Sequence, residues 1–188
     1  MAIVIFDFDD TIFETYKLND SFSQKMESIG VPSNVVKNTY EITKKKFNHY
    51  TFDNHIDVIN KMAEFNITDH KKDKLNDINF SFYKSDETFN ILNNLSKTHT
   101  LILLTCGDKN FQELKIYNSG LSSCFHEIHI IPNNKENFLM NKNFIGDVYF
   151  INDKKSENDV IRKMFPGFKV IDFDIKKEGS LNRLPLIN

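Results

Sequence analysis

The chain has 188 residues, of which 40% are hydrophobic, so it can bury a real core and wholesale disorder is not indicated. Its 24 basic and 26 acidic side chains nearly cancel, which excludes a general electrostatic affinity for nucleic acid. No stretch approaches the roughly 20 apolar residues that a membrane span needs. The two cysteines, Cys106 and Cys124, cannot form a disulfide framework, and we expect a cytoplasmic protein.

Five short, nearly continuous apolar runs predict β-strands that are covered on both faces. These runs comprise residues 2–6, 101–104, 128–131, 148–151 and 168–173. Helical patterns precede each of the last four runs or follow them, at residues 86–97, 109–119, 134–143 and 156–165. In the second of these patterns the residues at helical spacing are Phe111, Leu114, Ile116 and Tyr117. Strands that alternate with helices predict an α/β fold, a Rossmann-like parallel sheet flanked by helices.

The segment 17–84 differs from the rest because it contains no strand-like run. Its amphipathic patches lie at residues 20–29, 33–47, 54–66 and 72–84. We therefore predict an all-helical domain of four helices, inserted after the first strand. The α/β core would then comprise residues 1–16 and 85–188.

The first predicted strand leads directly into the acidic sequence Asp7-Phe8-Asp9-Asp10-Thr11. Residues two apart on an extended chain point the same way, so Asp7 and Asp9 start on one face. Two such carboxylates repel each other unless a cation or a proton lies between them. Mg²⁺, which prefers oxygen ligands, is the natural partner. The alternative is a solvated acidic turn.

The second predicted strand ends in Thr105, followed by Cys106 and Gly107. A hydroxyl beside free backbone N–H groups, with a glycine and then a helix start, is typical of a phosphate-binding site. The alternative is that these residues only turn the chain and cap the next helix.

Two further strands also end near residues that could take part in chemistry. Lys135 comes near the start of a helix beyond the third strand, and Asp153 follows the fourth strand. A lysine there can offset phosphate and carboxylate charge, although it could equally be a solvated surface residue, and Lys109 and Lys142 compete with it by position. Asp153 could complete a magnesium site with Asp7, or could simply cap the helix 156–165.

The residues at the four strand ends together predict a ligand site more strongly than any one of them does alone. Ligands of open parallel sheets bind in the crevice at the carboxyl ends of the strands. In chain order those ends present an acid pair, a hydroxyl, a lysine and an acid. Such a group can bind a phosphate with its metal, and it contains a nucleophile.

On these residues the chain resembles the haloacid dehalogenase superfamily, on its phosphatase side. The four motifs match in order, as Asp7 to Thr11, Leu103 to Thr105, Lys135, and Asn152-Asp153. The resemblance covers residues 1–16 and about 86–175. The insertion 17–84 falls where the family carries a helical cap, and it matches by place and texture only.

The resemblance implies a role for each matched residue. Asp7 would be the nucleophile that forms an aspartyl-phosphate, and Asp9 would be the general acid and base, with a pKa raised by the neighbouring carboxylates. Thr105, Cys106, Gly107 and Lys135 would bind the phosphoryl group. Mg²⁺ would be held by Asp7, Asp153 and the backbone carbonyl of Asp9.

The chain also departs from the family pattern. Asn152 stands where the family has Gly or Asp, and we expect it to hold a metal-bound water in a weaker metal site. The further acidic residue of the family is either Glu157 or Asp159, and the spacing does not decide between them. An acid at Asp9 favours the phosphatases over the dehalogenases, which lack that acid and need no metal.

The expected activity is Mg²⁺-dependent hydrolysis of a small phosphorylated metabolite, with neither nucleic acid nor membrane as a partner. The alternatives are a phosphotransferase or phosphomutase that uses the same aspartyl-phosphate, and a catalytically degenerate phosphate-binding protein. The identity of the phosphoester and the oligomeric state stay open.

Overall fold

The structure, a computed structural model, describes residues 1–62, 65–68 and 78–185. The chain divides into two compact units. The first comprises Met1–Thr15 and Phe80–Asn188, and the second comprises Tyr16–Asn79. No described helix is long and apolar enough to cross a membrane.

The first unit is built on a five-stranded sheet in which every pair of neighbouring strands is parallel. Its strands are β1 (Ile3–Phe6), β2 (Thr100–Cys106), β3 (Glu127–Ile131), β4 (Val148–Asn152) and β5 (Phe168–Asp172). They lie in the order β3-β2-β1-β4-β5, so β1 is central and pairs with both β2 and β4. The predicted α/β fold with a parallel sheet is confirmed.

Helices connect the strands, as a parallel sheet requires. Those of the first unit are α4 (Asp86–Leu95), α5 (Lys109–Asn118), α6 (Lys135–Met140), α7 (Lys155–Met164) and α8 (Ile175–Glu178). Short 3₁₀ turns lie at Phe80–Tyr83, Leu121–Cys124 and Leu181–Arg183. The caps follow from the sequence, because Ser85 accepts a hydrogen bond from the Thr88 N–H and Asp108 from the Phe111 N–H.

The core of the first unit explains why its strands are apolar throughout. Val4, Ile5 and Phe6 of central β1 are fully buried, although successive side chains point to opposite faces. On one face a single cluster contains residues of three strands and of α6 and α7, namely Ile5, Ile102, Leu104, Leu139, Val148, Phe150 and Ile161. Burial on both faces favours apolar runs over alternation.

The second unit is helical in its described part, with α2 (Ser33–Lys46), α3 (Phe52–Met62) and most of α1 (Thr15–Ser28). The apolar stripes of these helices meet in a cluster of Phe22, Met26, Val31, Val36, Ile56, Ile59 and Ile67. The first helix begins at Thr15, earlier than the predicted start at residue 20. Of the predicted helix 72–84, residues 72–77 lie outside the described residues, and Phe80–Tyr83 forms only a 3₁₀ turn.

Candidate active site

The candidate site lies at the carboxyl ends of three adjacent strands. Asp7 follows β1, Thr105 is the penultimate residue of β2, and Asp153 follows β4. Since β1 pairs with both β2 and β4 in parallel, these residues share one end of the sheet. The sheet continues one residue further at this point, because the Asp7 N–H donates to the Ile151 carbonyl at 2.9 Å.

Lys135, the first residue of α6, forms an ion pair with Asp7 inside the protein. Its Nζ lies 2.6 Å from Asp7 Oδ1, and the two side chains are 2% and 5% exposed. The same ammonium contacts Glu157 at 3.1 Å. Burial alone would lower the pKa of Lys135, but the nearby carboxylates of Asp7 and Glu157 outweigh it and raise the pKa. The lysine therefore stays charged.

The competing lysines lie elsewhere. Lys142 pairs with Glu127 at 3.6 Å and is 39% exposed, whereas Lys109 pairs with Glu113 at 3.9 Å and is 75% exposed. Both are ordinary surface residues, and Lys135 is the lysine of these three that contacts Asp7.

Asn152 has a different role from the one expected of it. Its side chain is fully buried, and its Oδ1 accepts a hydrogen bond from Lys135 Nζ at 3.1 Å. Its Nδ2 donates to Asn158 Oδ1 at 3.0 Å and to Glu157 Oε2 at 3.3 Å. Because both ends of the amide are engaged, Asn152 orients Lys135, and the prediction that it holds a metal-bound water is not supported.

The two candidate acids of α7, Glu157 and Asp159, form different ion pairs. Glu157 contacts Lys135 and, at 3.2 Å, Lys154. Asp159 is exposed and pairs with Arg162 at 2.9 Å, away from this group. Glu157 is thus the one of these two acids that contacts Lys135.

Asp153 is linked to Asp7 through the hydroxyl of Thr11. The Asp153 N–H donates to Thr11 Oγ1 at 3.1 Å, and this hydroxyl donates to Asp7 Oδ2 at 3.4 Å. Thr11 reaches this place because Asp10 takes a left-handed conformation (φ 56°) and turns the chain. Burial, with the charge of Asp7 next in importance, raises the pKa of Asp153 to about 7.

These residues fit a hard divalent cation. Asp153 Oδ1 is buried and has no hydrogen-bond partner, which is a costly state for a carboxylate oxygen. A cation held by Asp7 and Asp153 would satisfy this oxygen and offset the repulsion between the two carboxylates, which adds to the effect of burial on the pKa of Asp153. The described residues contain no group of three or more His, Cys, Asp or Glu side chains arranged for a metal. Mg²⁺, however, commonly takes only one or two carboxylates and keeps several waters.

Asp9 contacts three donors from its surroundings. Lys115 Nζ and Thr15 Oγ1 both donate to its Oδ1, and Gln112 Nε2 donates to its Oδ2 at 2.7 Å. Burial would raise the pKa of Asp9, but the Lys115 ammonium and these hydrogen bonds outweigh it and lower the pKa. The prediction that neighbouring carboxylates raise this pKa is therefore wrong. Asp7 and Asp9 each have their own lysine.

Thr105 and the two residues after it form a compact turn. Thr105 is buried, and its hydroxyl accepts a hydrogen bond from Gln112 Nε2 at 3.3 Å. The Gly107 N–H donates to the Ile131 carbonyl at 3.0 Å. Burial raises the pKa of the Cys106 thiol to about 11, so this cysteine is a neutral neighbour of the site and not a nucleophile.

The sequence did not single out the two side chains of α5 that contact Asp9. Apolar spacing predicted a face of Phe111, Leu114, Ile116 and Tyr117, but Leu114 and Tyr117 are 44% and 58% exposed. The buried residues of this helix are Gln112, Lys115 and Ile116. Two polar residues at positions i and i+3, such as Gln112 and Lys115, lie on the same face of a helix and could have indicated a buried polar face. The same spacing is equally typical of a helix face that is exposed to solvent.

The comparisons place this fold among known structures. No protein-family model matches the chain, and no curated protein sequence does. A proposed haloacid dehalogenase-like hydrolase from Burkholderia xenovorans LB400 has a TM-score of 0.72 at 18% identity, over 90% of this chain and 79% of that one.

Two other solved structures are similar over most of their length. A proposed β-phosphoglucomutase from Thermotoga maritima has a TM-score of 0.61 at 17% identity, over 90% of this chain and 84% of that one. The proposed hydrolase YfnB from Bacillus subtilis, bound to magnesium, has a TM-score of 0.60 at 17% identity, over 96% and 98%. L-2-haloacid dehalogenases also match. The chain has the fold of haloacid dehalogenase-like hydrolases.

Proposed function

We propose that the protein is a Mg²⁺-dependent phosphomonoester hydrolase that acts on a small phosphorylated metabolite through an aspartyl-phosphate. The observation that carries this proposal is the group formed by the buried Asp7–Lys135 pair and by Asp153, whose Oδ1 is buried. It combines a carboxylate nucleophile, a fixed cation beside it, and a second carboxylate whose Oδ1 lacks a partner. In such a group the lysine and a divalent cation would together offset the negative charges of the two carboxylates and of a bound phosphate.

Asp7 is the proposed nucleophile. Its carboxylate would attack phosphorus in line with the leaving oxygen, so that an acyl-phosphate bond forms as the ester P–O bond breaks. Lys135 would stabilise the negative charge on the phosphoryl oxygens, and it is already held by Asn152 and Glu157. Preorganised charge of this kind supplies much of the rate in phosphoryl transfer, since the donors need no rearrangement during the reaction.

Asp9 is the proposed acid and base, and Thr105 the proposed phosphoryl-oxygen donor. Asp9 would pass a proton to the leaving alkoxide and later accept one from the water that attacks the intermediate. Its lowered pKa favours the second of these roles. Thr105, whose hydroxyl accepts from Gln112, would donate its own proton to the phosphate.

The metal would be held by Asp7, Asp153 and the main-chain carbonyl of Asp9. When bound, Mg²⁺ supplies charge neutralisation between the phosphate and these carboxylates. The inserted segment 17–84 is proposed as the cap of the enzyme. The proposed partner is a small phosphorylated metabolite of the cytoplasm, without nucleic acid or membrane.

Acids at positions 9 and 153 support phosphate chemistry over dehalogenation. A dehalogenase needs neither an acid for an alkoxide nor a cation. Hydrolysis of a haloacid such as 2-chloropropionate without Mg²⁺ would overturn the proposal.

Phosphotransfer is the second candidate, because the proposed β-phosphoglucomutase shares the fold. The same Asp7 would pass its phosphoryl group to a sugar hydroxyl in place of water. Product analysis with sugar phosphates separates the two, since a mutase yields an isomeric phosphate and a hydrolase yields inorganic phosphate.

The proposal is tested by a phosphatase screen over a metabolite panel, with Mg²⁺ and with EDTA. We expect release of phosphate that needs Mg²⁺ and is lost in Asp7→Asn. Asp159→Asn, an exposed acid outside the site, serves as the matched control and should keep full activity. A panel without turnover would favour a degenerate phosphate-binding protein, and full activity in Asp7→Asn would contradict the nucleophile.

A further inference from the structure

Helix α5 contributes two buried polar residues whose side-chain hydrogen bonds all go to residues of the candidate site. Gln112 and Lys115 are 4% and 3% exposed, and they lie one helical turn apart. Polar side chains as long as these are seldom so buried unless they are paired. Their presence on the face of α5 that would otherwise be apolar therefore calls for a reason beyond packing.

Lys115 has an unusual environment for an ammonium group. Its Nζ lies 5.5 Å, 5.9 Å and 5.2 Å from the ring centres of Phe8, Phe13 and Phe111. The rings exclude water, and the ammonium forms its ion pair with Asp9. Replacing such a pair by apolar side chains often costs little stability or even adds some. Stability thus does not account for the lysine.

Gln112 forms hydrogen bonds both to Asp9 and to the compact turn that begins at Thr105. Its Nε2 donates to Asp9 Oδ2 at 2.7 Å, to the Cys106 carbonyl at 3.0 Å and to Thr105 Oγ1 at 3.3 Å. The Asp9 carboxylate and the Cys106 carbonyl can only accept hydrogen bonds, so the amide can adopt only one of its two orientations. The Oε1 atom of Gln112 is buried and has no hydrogen-bond partner, so only the N–H groups of Nε2 hold the side chain in place.

The glycine of the turn makes room for this arrangement. A Cβ on Gly107 would lie 2.8 Å from Gln112 Nε2 and 3.0 Å from its Cγ. Real Cβ atoms essentially never come this close to another heavy atom, so a side chain at position 107 would force the Gln112 side chain to shift. The close contact between Gly107 and Gln112 thus lies beside the amide group that donates hydrogen bonds to both Thr105 and Asp9.

We infer that Gln112 and Lys115 are positioning residues, which hold the carboxylate of Asp9 in a fixed place relative to the hydroxyl of Thr105. The inference rests on the proposed function, because Asp9 is there the acid and base and Thr105 the phosphoryl-oxygen donor. Lys115 fixes one carboxylate oxygen and Gln112 fixes the other. Through the same amide, Gln112 leaves the Thr105 proton directed to the substrate.

The consequence concerns the leaving group. A well-placed acid matters most when the departing oxygen is strongly basic, and it matters little for an acidic phenol. Misplacing Asp9 should therefore impair the hydrolysis of phenyl phosphate far more than that of 4-nitrophenyl phosphate. A merely structural role would reduce both by the same factor.

The test compares kcat/KM for these two substrates in the full-length protein with Mg²⁺. We expect Lys115→Met and Gln112→Glu to raise the ratio of 4-nitrophenyl to phenyl phosphate activity about tenfold or more, in the direction given by Asp9→Asn. Lys109→Met, on the exposed face of α5, is the matched control and should leave the ratio unchanged. Thermal unfolding reports whether each variant folds.

The outcomes separate the two levels of the proposal. An equal loss for both substrates, or an unchanged ratio, overturns the positioning role while the hydrolase stands. If Lys115→Met does not fold, the isosteric Gln112→Glu decides by the same ratio. A wild-type protein that hydrolyses neither these substrates nor the metabolite panel overturns the proposed function, and this inference with it.

Discussion

Lys135 Nζ and Asp7 Oδ1 lie 2.6 Å apart, and both side chains are almost completely buried. The pair joins the first residue of α6 to the residue that follows central β1, 128 positions earlier in the chain. A second pair, Lys115 with Asp9, lies nearby. Asp7 and Asp9, two positions apart in the chain, are thus each paired with a lysine from a different helix.

Removing Lys135 should affect both folding and activity. Lys135→Met leaves Asp7 and Glu157 without their shared cation, and breaking a buried pair in this way costs about 3–5 kcal/mol. Urea unfolding in EDTA measures this loss, and the phosphatase assay should show no turnover. Lys142→Met removes a half-exposed lysine of the same helix region and should change the free energy of unfolding by less than about 1 kcal/mol. Equal stability of the two variants would contradict the buried pair.

Asp153 should make the metal-free protein less stable as the pH rises. Its folded pKa, about 7, lies above the ordinary value, so the folded state binds more protons between pH 4 and 7. The contribution is fully present below the unfolded pKa and is lost as the pH rises through about 7. Other carboxyl groups have lowered pKa values, so the measured quantity is the difference between wild type and Asp153→Asn. A difference that does not vary over this range would rule out the raised pKa.

Mutating Asn152 to Asp, which restores a residue common in the resembled family, should damage this protein. The Nδ2 group of Asn152 donates to Asn158 and Glu157, and a carboxylate oxygen in its place would face two acceptors. We expect Asn152→Asp to lower the free energy of unfolding by about 1–3 kcal/mol and to reduce turnover. Asn143→Asp, at an exposed position, should do neither. Improved activity would instead indicate that residue 152 serves the metal.

Gly107→Ala tests the close approach between Gly107 and Gln112. A Cβ only 2.8 Å from Gln112 Nε2 must displace that side chain, and the φ of Gly107 (+158°) strains any residue with a Cβ. We expect the two effects together to cost about 1–3 kcal/mol, and the displacement to change the leaving-group ratio as Gln112→Glu does. Gly120→Ala is the control, because the φ of Gly120 (+77°) is also one that a side chain rarely adopts, whereas nothing lies within 4 Å of its added Cβ. If both variants behave alike in unfolding and in kcat/KM, the contact is unimportant.

The fold and most of the candidate site could be predicted from the apolar strand patterns and from the residues at the strand ends. Apolar runs such as 148–151 are long enough to identify buried strands, and the topology of parallel sheets brings their carboxyl ends together. Asp7, Thr105 and Asp153 could therefore be assigned to one edge before any coordinates. Lys135 needed the motif resemblance, because position alone did not separate it from Lys109 and Lys142.

The contacts of α5 could not be predicted in this way. Apolar spacing favours Leu114 and Tyr117 as core residues, whereas Lys115 is buried because Asp9 lies within reach of its ammonium. That proximity depends on residues 106 positions apart in the chain, which no local pattern records. The same reason explains the error about the pKa of Asp9. Its acidic neighbours are adjacent in the sequence, whereas Lys115, which lowers the pKa, is distant in the sequence.

Trapping the covalent intermediate on Asp7 tests the central claim most directly. The protein would be mixed with Mg²⁺ and a hydrolysed phosphoester, quenched in acid, treated with borohydride to reduce any acyl-phosphate to the alcohol, and digested for mass spectrometry. We predict that the reduced side chain is found at position 7, and that Asp9→Asn still forms it with an activated aryl phosphate. Rapid hydrolysis with position 7 unmodified, or reduction at another aspartate, would contradict the account.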